Sequence, residues 1–160
     1  MPMTTSARRC DMEYHFHGWR DAPAVHALDA GAAGIHTLLD LYDALYEVWC
    51  ADTCAPRMRK DWNKDNRTLG QCSITAFLVQ DLFGGKVYGI PLGDGHYHCY
   101  NVIGDHVFDL TSEHFEGRIL VYENNPEQYR EDHFAGKEKY SRYLKLRELL
   151  KEYISLNIIH

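Results

Sequence analysis

The sequence has no long hydrophobic run. No apolar stretch approaches the roughly 20 residues that a membrane-spanning helix needs. The N-terminus, "MPMTTSARRC", carries basic residues, but no apolar stretch follows them as it would in a signal peptide. We therefore expect no membrane partner and a cytoplasmic location.

The sequence also lacks a surplus of positive charge. It has 17 lysines and arginines against 23 aspartates and glutamates, for a net charge of −6. Nucleic-acid-binding proteins usually carry a basic surplus, so we expect no nucleic-acid partner.

A disulfide framework is not indicated either. The five cysteines are an odd number in a chain without an export signal, which favours free thiols. Cys50 and Cys54 in "CADTC" could pair or share a metal, but no second pair of ligands accompanies them. We therefore predict neither a metal nor another cofactor.

The length of 160 residues is typical of one domain that buries its own core. Residues 1–33, which include "DAPAVHALDAGAAG", are poorly patterned and predict a weakly ordered N-terminal segment. Residues 34–160 then form the single folded domain.

The pattern of that domain predicts helices packed on a small antiparallel sheet, an α+β fold. "IHTLLDLYDALYEVWC" has helical spacing, and Cys72 to Phe83 is apolar nearly all round, as in a buried helix that Gly84 and Gly85 end. Four strands are expected in "KVYGIPL", "HYHCYNVI", "HVFDLT" and "RILVY", followed by a long helix over residues 136–155. Basic residues on this last helix favour a solvated face, and an oligomer is possible.

Cys72 stands at the head of the predicted buried helix, in "TLGQCSITAFLVQD". The unpaired N–H groups of a helix N-terminus favour negative charge, so they lower the pKa of a cysteine there. The same groups can later hold an oxyanion. The position suits a nucleophile that has a base nearby, although a cysteine in an apolar helix can also be a small core residue.

A histidine and an acid on the predicted hairpin could complete such a site. With Gly104 and Asp105 as the turn, His98 and Asp109 lie on one face of adjacent strands, close enough for their side chains to meet. Asp109 could then bond one imidazole nitrogen and aim the other at Cys72. A slip of one residue in the register would break this geometry.

His96 offers two further interpretations. It shares a face with His98 but lies farther from Asp109, so it ranks second as the base. Imidazoles two residues apart on a strand can also share a metal, which predicts a metal-binding protein as an alternative. The remaining ligands would come from Asp109, Glu113 or His114.

Several motifs together resemble the YunG family of mainly bacterial proteins, over about residues 49 to 135. They are "RMRKDW", "LGQCSITAFLVQDLFGG", "HCYN", "VFDLT" and "PEQYREDHF". The order of elements also resembles the papain-like and transglutaminase-like fold, in which a helix-borne cysteine is followed by a histidine and an Asp or Asn on neighbouring strands. Cys72, His98 and Asp109 carry that order here.

The resemblance implies a cysteine-dependent acyl-transfer enzyme acting on a peptide, protein or other amide, by hydrolysis or transamidation. A Gln or Asn upstream of the cysteine often lines the oxyanion hole in such enzymes. The candidates for oxyanion or substrate binding are Gln71, Asn66, Trp62 and His96. The alternative is an inactive binding or immunity-type module of the same fold.

Overall fold

The computed structural model describes residues 13–29, 34–115 and 118–158. The helices within these ranges are α1 (Leu38–Val48), α2 (Cys72–Phe83), α3 (Arg130–His133) and α4 (Lys137–Ile158). The strands are β1 (Lys86–Pro91), β2 (Tyr97–Ile103), β3 (His106–Phe108) and β4 (Glu127–Gln128). The expected α+β class, with helices against a small antiparallel sheet, is confirmed.

Helix α2 lies at the centre of the packing, against β2 and α4. Its burial follows from its sequence, because apolar residues surround nearly the whole helix and leave no polar face for solvent. Gly84 ends the helix with φ at 82°, a conformation that favours glycine. Helix α1 begins at a capping box in which Thr37 and Asp40 satisfy each other's backbone N–H groups.

The strands form a four-stranded sheet in the order β3-β2-β1-β4. The predicted hairpin is confirmed, since Ile103 pairs with His106 and Val102 with Val107 across the turn. The β2–β3 ladder ends at Asn101 and Phe108, and the next residue, Asp109, forms an isolated antiparallel bridge with His17 instead.

The fourth strand is not where the sequence predicted it. Residues 118–122, "RILVY", form no strand, and Ile119 is 93% exposed. The fourth strand is β4, which pairs with the outer edge of β1 at Val87 and Tyr88. The apolar and β-branched residues of "RILVY" have strand propensity, but propensity alone does not supply a partner edge.

Helix α4 closes the described chain and is slightly longer than the expected 136–155. Tyr143, Leu146 and Leu150 form its buried stripe. No helix in the described parts of the chain is both long enough and apolar enough to cross a membrane.

The expected weakly ordered segment includes residues with defined positions in the core. Phe16 and Ala22 are fully buried, and the Phe16 ring stacks on Tyr42 of α1 at 4.3 Å between centroids. The chain from 13 to 29 therefore packs against α1 and the end of β3. Residues 1–12 and 30–33 lie outside the described ranges.

Candidate active site

Cys72 is the first residue of α2, at the end of the helix that faces β2. Its Sγ lies 3.6 Å from the backbone oxygen of Tyr97, the first residue of β2. The first N–H groups of a helix have no partner within it, so those at Cys72 point toward the same region. The side chain is half-buried and borders a cavity.

His98 and Asp109 form a buried pair beside Cys72. His98 Nε2 lies 2.6 Å from Asp109 Oδ2, and the two residues are 1% and 0% exposed. The Asp109 carboxylate also accepts hydrogen bonds from the Tyr122 hydroxyl at 2.8 Å and the Thr111 backbone N–H at 3.3 Å. Because Nε2 is held by Asp109, Nδ1 is the nitrogen that remains for Cys72.

The pair shifts the ionisation of His98 strongly. Burial lowers the pKa of His98, but the charge and hydrogen bond of Asp109, with a smaller contribution from Cys72, outweigh burial and raise it to about 10. His98 therefore carries its positive charge at neutral pH.

The same arrangement favours a thiolate at Cys72. A hydrogen bond from the Cys99 thiol lowers the pKa of Cys72, whereas burial raises it. The hydrogen bond and positive charge of His98 lower it further, so that the pKa of Cys72 lies well below its ordinary value. Sharing that hydrogen bond, together with burial, raises the pKa of Cys99, so Cys99 stays a thiol. The site thus stabilises a thiolate–imidazolium pair.

A cavity of about 780 Å³ opens in front of this pair. Its lining includes Cys72, His98, His96, Gln128, His133 and Lys139. Its residues come from the starts of α2, β2 and α4, from β4 and α3, and from the segments at 55–58 and 114–115. The volume is that of a pocket for a small molecule or a short stretch of peptide.

The three upstream candidates for the oxyanion site lie away from this cavity. Gln71 is fully buried and donates from Nε2 to the Cys50 backbone oxygen at 3.0 Å. Trp62 donates from its indole to the backbone oxygen of Arg67 at 2.9 Å, and Asn66 forms an isolated bridge with Asn63 within the same loop. None of these three side chains lines the cavity, which leaves the N–H groups at the start of α2 as the donors beside Cys72.

His96, in contrast, borders the cavity but is exposed, and its backbone N–H bonds the Asp94 carboxylate at 3.0 Å. Within residues 13–29, 34–115 and 118–158, no group of three or more His, Cys, Asp or Glu residues could hold a metal ion. Cys50 and Cys54 are free thiols.

Two residues that support the site could not be predicted from the sequence. Asn101 donates from Nδ2 to the Ala76 backbone oxygen at 2.9 Å, which ties the strand that bears His98 to the helix that bears Cys72. Tyr122 reaches Asp109 from the segment expected as a strand. Strand alternation indicated only that Asn101 faces away from His98, and no local pattern pointed to Tyr122.

The Tyr122 hydroxyl should contribute to stability through Asp109. Changing Tyr122→Phe removes a hydrogen bond to a buried carboxylate, so we expect a loss of about 1–3 kcal/mol in the free energy of unfolding. Urea denaturation measures this change. Tyr140→Phe, at a tyrosine that is 43% exposed, is the control and should have little effect. Equal stability of the Tyr122→Phe and wild-type proteins would mean that this hydrogen bond contributes nothing.

The fold and site together define an α+β protein with a cysteine and a histidine at one cavity and a buried aspartate bonded to that histidine. The sequence matches the family described as YunG protein over residues 37–155, and the chain belongs to that family. It is 34% identical over 94 residues to "Uncharacterized protein YunG" of Bacillus subtilis (strain 168), a match that covers 59% of this chain and 78% of that protein. No solved structure matches the chain significantly.

Proposed function

We propose that the protein is a cysteine-dependent acyl-transfer enzyme with Cys72 as the nucleophile, His98 as the base and Asp109 as the residue that orients His98. The observation that carries this proposal is the 2.6 Å contact between His98 and Asp109 beside a cysteine at a helix start. The order of helix-borne cysteine, strand histidine and following aspartate suits a papain-like core. The substrate would be a peptide, a protein or another amide or thioester.

The first half of the reaction forms an acyl-enzyme. The Cys72 thiolate, whose proton already resides on His98, attacks the substrate carbonyl to give a tetrahedral oxyanion. The intermediate collapses as His98 returns the proton to the leaving amine. The carbon–nitrogen bond breaks, and a thioester to Cys72 remains.

The second half releases the acyl group. His98 removes a proton from water or from an acceptor amine, which attacks the thioester carbonyl. Collapse of this intermediate expels the Cys72 thiolate beside the protonated His98. Water as the acceptor gives hydrolysis, and an amine gives transamidation.

The buried surroundings support both halves. The unpaired N–H groups at the start of α2 would stabilise negative charge that develops on the carbonyl oxygen. Asp109 is fully buried, so its attraction for the imidazolium is screened little by solvent. The reaction needs a reduced Cys72, which suits a reducing compartment such as the cytoplasm.

A binding module of the same fold is the second candidate. The broad cavity supports it, because a pocket of this size can bind a ligand without chemistry. Metal binding through His96 and His98 has less support, because among the described residues no group of three or more His, Cys, Asp or Glu could hold a metal ion.

Acylation by p-nitrophenyl acetate tests the proposal without a known substrate. We expect a burst of p-nitrophenolate equal to the amount of protein, continued turnover, and an acetyl group that peptide mass spectrometry locates on Cys72. The binding-module candidate predicts no burst. Acetylation spread over lysines or at Cys50, without turnover, would contradict the proposed nucleophile.

A further inference from the structure

One cationic side chain borders the cavity in an unusual setting. Lys139 lies in the first turn of α4, half-buried, in the lining that also contains Cys72. The start of a helix disfavours a cation because the helix dipole is positive there. Burial lowers the pKa of Lys139, and the negative charge of nearby Cys72 only partly offsets this cost of the charged form. A cation in such a position is more easily explained by a ligand than by stability.

A chain of hydrogen bonds fixes the position of this ammonium. Gln128 in β4 donates from Nε2 to the Pro126 backbone oxygen at 3.2 Å, which turns its Oε1 toward His133. His133 Nε2 donates to that oxygen at 2.8 Å, so His133 Nδ1 can accept from Lys139 Nζ at 2.9 Å. The Lys139 side chain is therefore held from one side.

His133 plays this part as a neutral ring. Burial lowers the pKa of His133, and the charge of Lys139 lowers it further, to about 4. His133 thus orients Lys139 but does not neutralise it. Among the described residues no carboxylate forms an ion pair with Lys139, and an ammonium has three N–H donors, of which His133 takes one.

The other cation buried in the same wall is already neutralised. Arg142 donates to the Glu138 carboxylate at 2.6 Å and to the Thr53 backbone oxygen at 3.1 Å. Lys139 is different, since its two remaining donors have no partner in the described chain. An anionic group entering the cavity would find those donors beside the first turn of α4, whose dipole also favours negative charge.

We propose that Lys139 binds a carboxylate of the substrate, so that the enzyme acts on acyl compounds that carry one carboxylate near the reacting carbonyl. This inference rests on the proposed function of Cys72. A single negative charge fits better than a phosphate or a polyanion, because Lys139 supplies one positive charge with two donors that have no partner in the described chain. The lining also holds the exposed Arg57 and the acids Glu127 and Asp132, while Glu138 and Arg142 neutralise each other.

Two alkylating reagents that differ in charge test the inference at Cys72. Iodoacetate carries a carboxylate, and iodoacetamide is its neutral analogue of nearly the same size. We expect the ratio of their rates, iodoacetate over iodoacetamide, to fall severalfold in the Lys139→Met protein. Lys139→Arg should keep most of the wild-type ratio.

The ratio separates binding of a carboxylate from a general effect on the thiol. A change in the pKa of Cys72 alters both rates together and leaves the ratio unchanged. Lys145→Met is the matched control on the same helix, outside the cavity, where Lys145 lies 4.0 Å from Asp52. An unchanged ratio in Lys139→Met, or an equal fall in Lys145→Met, would overturn the inference.

A binding measurement decides the inference even where Cys72 proves unreactive. Butyrate, which carries a single carboxylate, is titrated into Cys72→Ala protein and followed by backbone amide chemical shifts. Saturable shifts around Lys139 and His133, absent from the Cys72→Ala/Lys139→Met protein, are the expected result. Identical behaviour of the two proteins would contradict carboxylate binding at Lys139. Butyrate binding without alkylation of Cys72 would refute the proposed nucleophile and leave the carboxylate site standing.

Discussion

Replacing Cys72 with alanine is expected to abolish acylation by p-nitrophenyl acetate, with no burst and no turnover. The thiolate is the only group that forms the covalent intermediate in the proposed reaction, so nothing else can substitute for it. The fold should survive, because Cys72 is a half-buried first-turn residue and alanine is a good helix former. The free energy of unfolding should change by less than about 1 kcal/mol.

The control for this variant is Cys50→Ala, at another half-buried free thiol. The Cys50→Ala protein should keep the full burst. A Cys72→Ala protein that still turns over p-nitrophenyl acetate at the wild-type rate would show that the proposed mechanism is wrong. Loss of the burst in both variants would point instead to a general disturbance of the fold.

Replacing Asp109 with alanine should cost about 3–5 kcal/mol of unfolding free energy, since it leaves His98 buried without its partner. It also removes the acceptor of the Tyr122 hydroxyl. Urea denaturation of both proteins measures the difference. Asp65→Ala, at an exposed acid, is the control and should lie within about 0.5 kcal/mol of wild type.

The cost of Asp109→Ala should depend on pH in a defined direction. The pKa of His98 is raised from 6.5 to about 10 in the folded protein, so the stability from this shift is fully present below pH 6.5. It is lost as pH rises through about 10. The difference between wild type and Asp109→Ala should therefore shrink from pH 6.5 toward 10. A difference that grows over this range would contradict the charged pair.

The hairpin shows what local patterns can predict. Gly104 and Asp105 marked the turn, and the alternation of side chains then placed His98 and Asp109 on one face, where the structure brings them into contact. The helix that begins at Cys72 could also be predicted from the sequence, because an apolar run that ends in two glycines is a strong local signal.

Other features depend on tertiary partners that no local pattern reveals. "RILVY" has strand propensity, but Glu127 and Gln128 pair with the outer edge of β1 instead. Tyr122 and Lys139 come from segments distant in sequence. Their roles follow from the Tyr122 hydrogen bond to Asp109 and from the position of Lys139 in the cavity lining, which their sequence neighbours do not indicate. Gln71 illustrates the reverse case: it adjoins Cys72 in sequence, yet its side chain bonds the Cys50 backbone oxygen.

The rate of Cys72 alkylation by iodoacetamide as a function of pH tests the central claim most directly. Peptide mass spectrometry identifies the labelled cysteine in wild type, His98→Ala and His96→Ala proteins. We predict that Cys72 in wild type reacts with an apparent pKa well below the free value of about 8.5, that His98→Ala restores an ordinary pKa, and that His96→Ala changes little. An inert Cys72, an ordinary pKa in wild type, or equal effects of the two histidine variants would contradict a thiolate–imidazolium pair between Cys72 and His98.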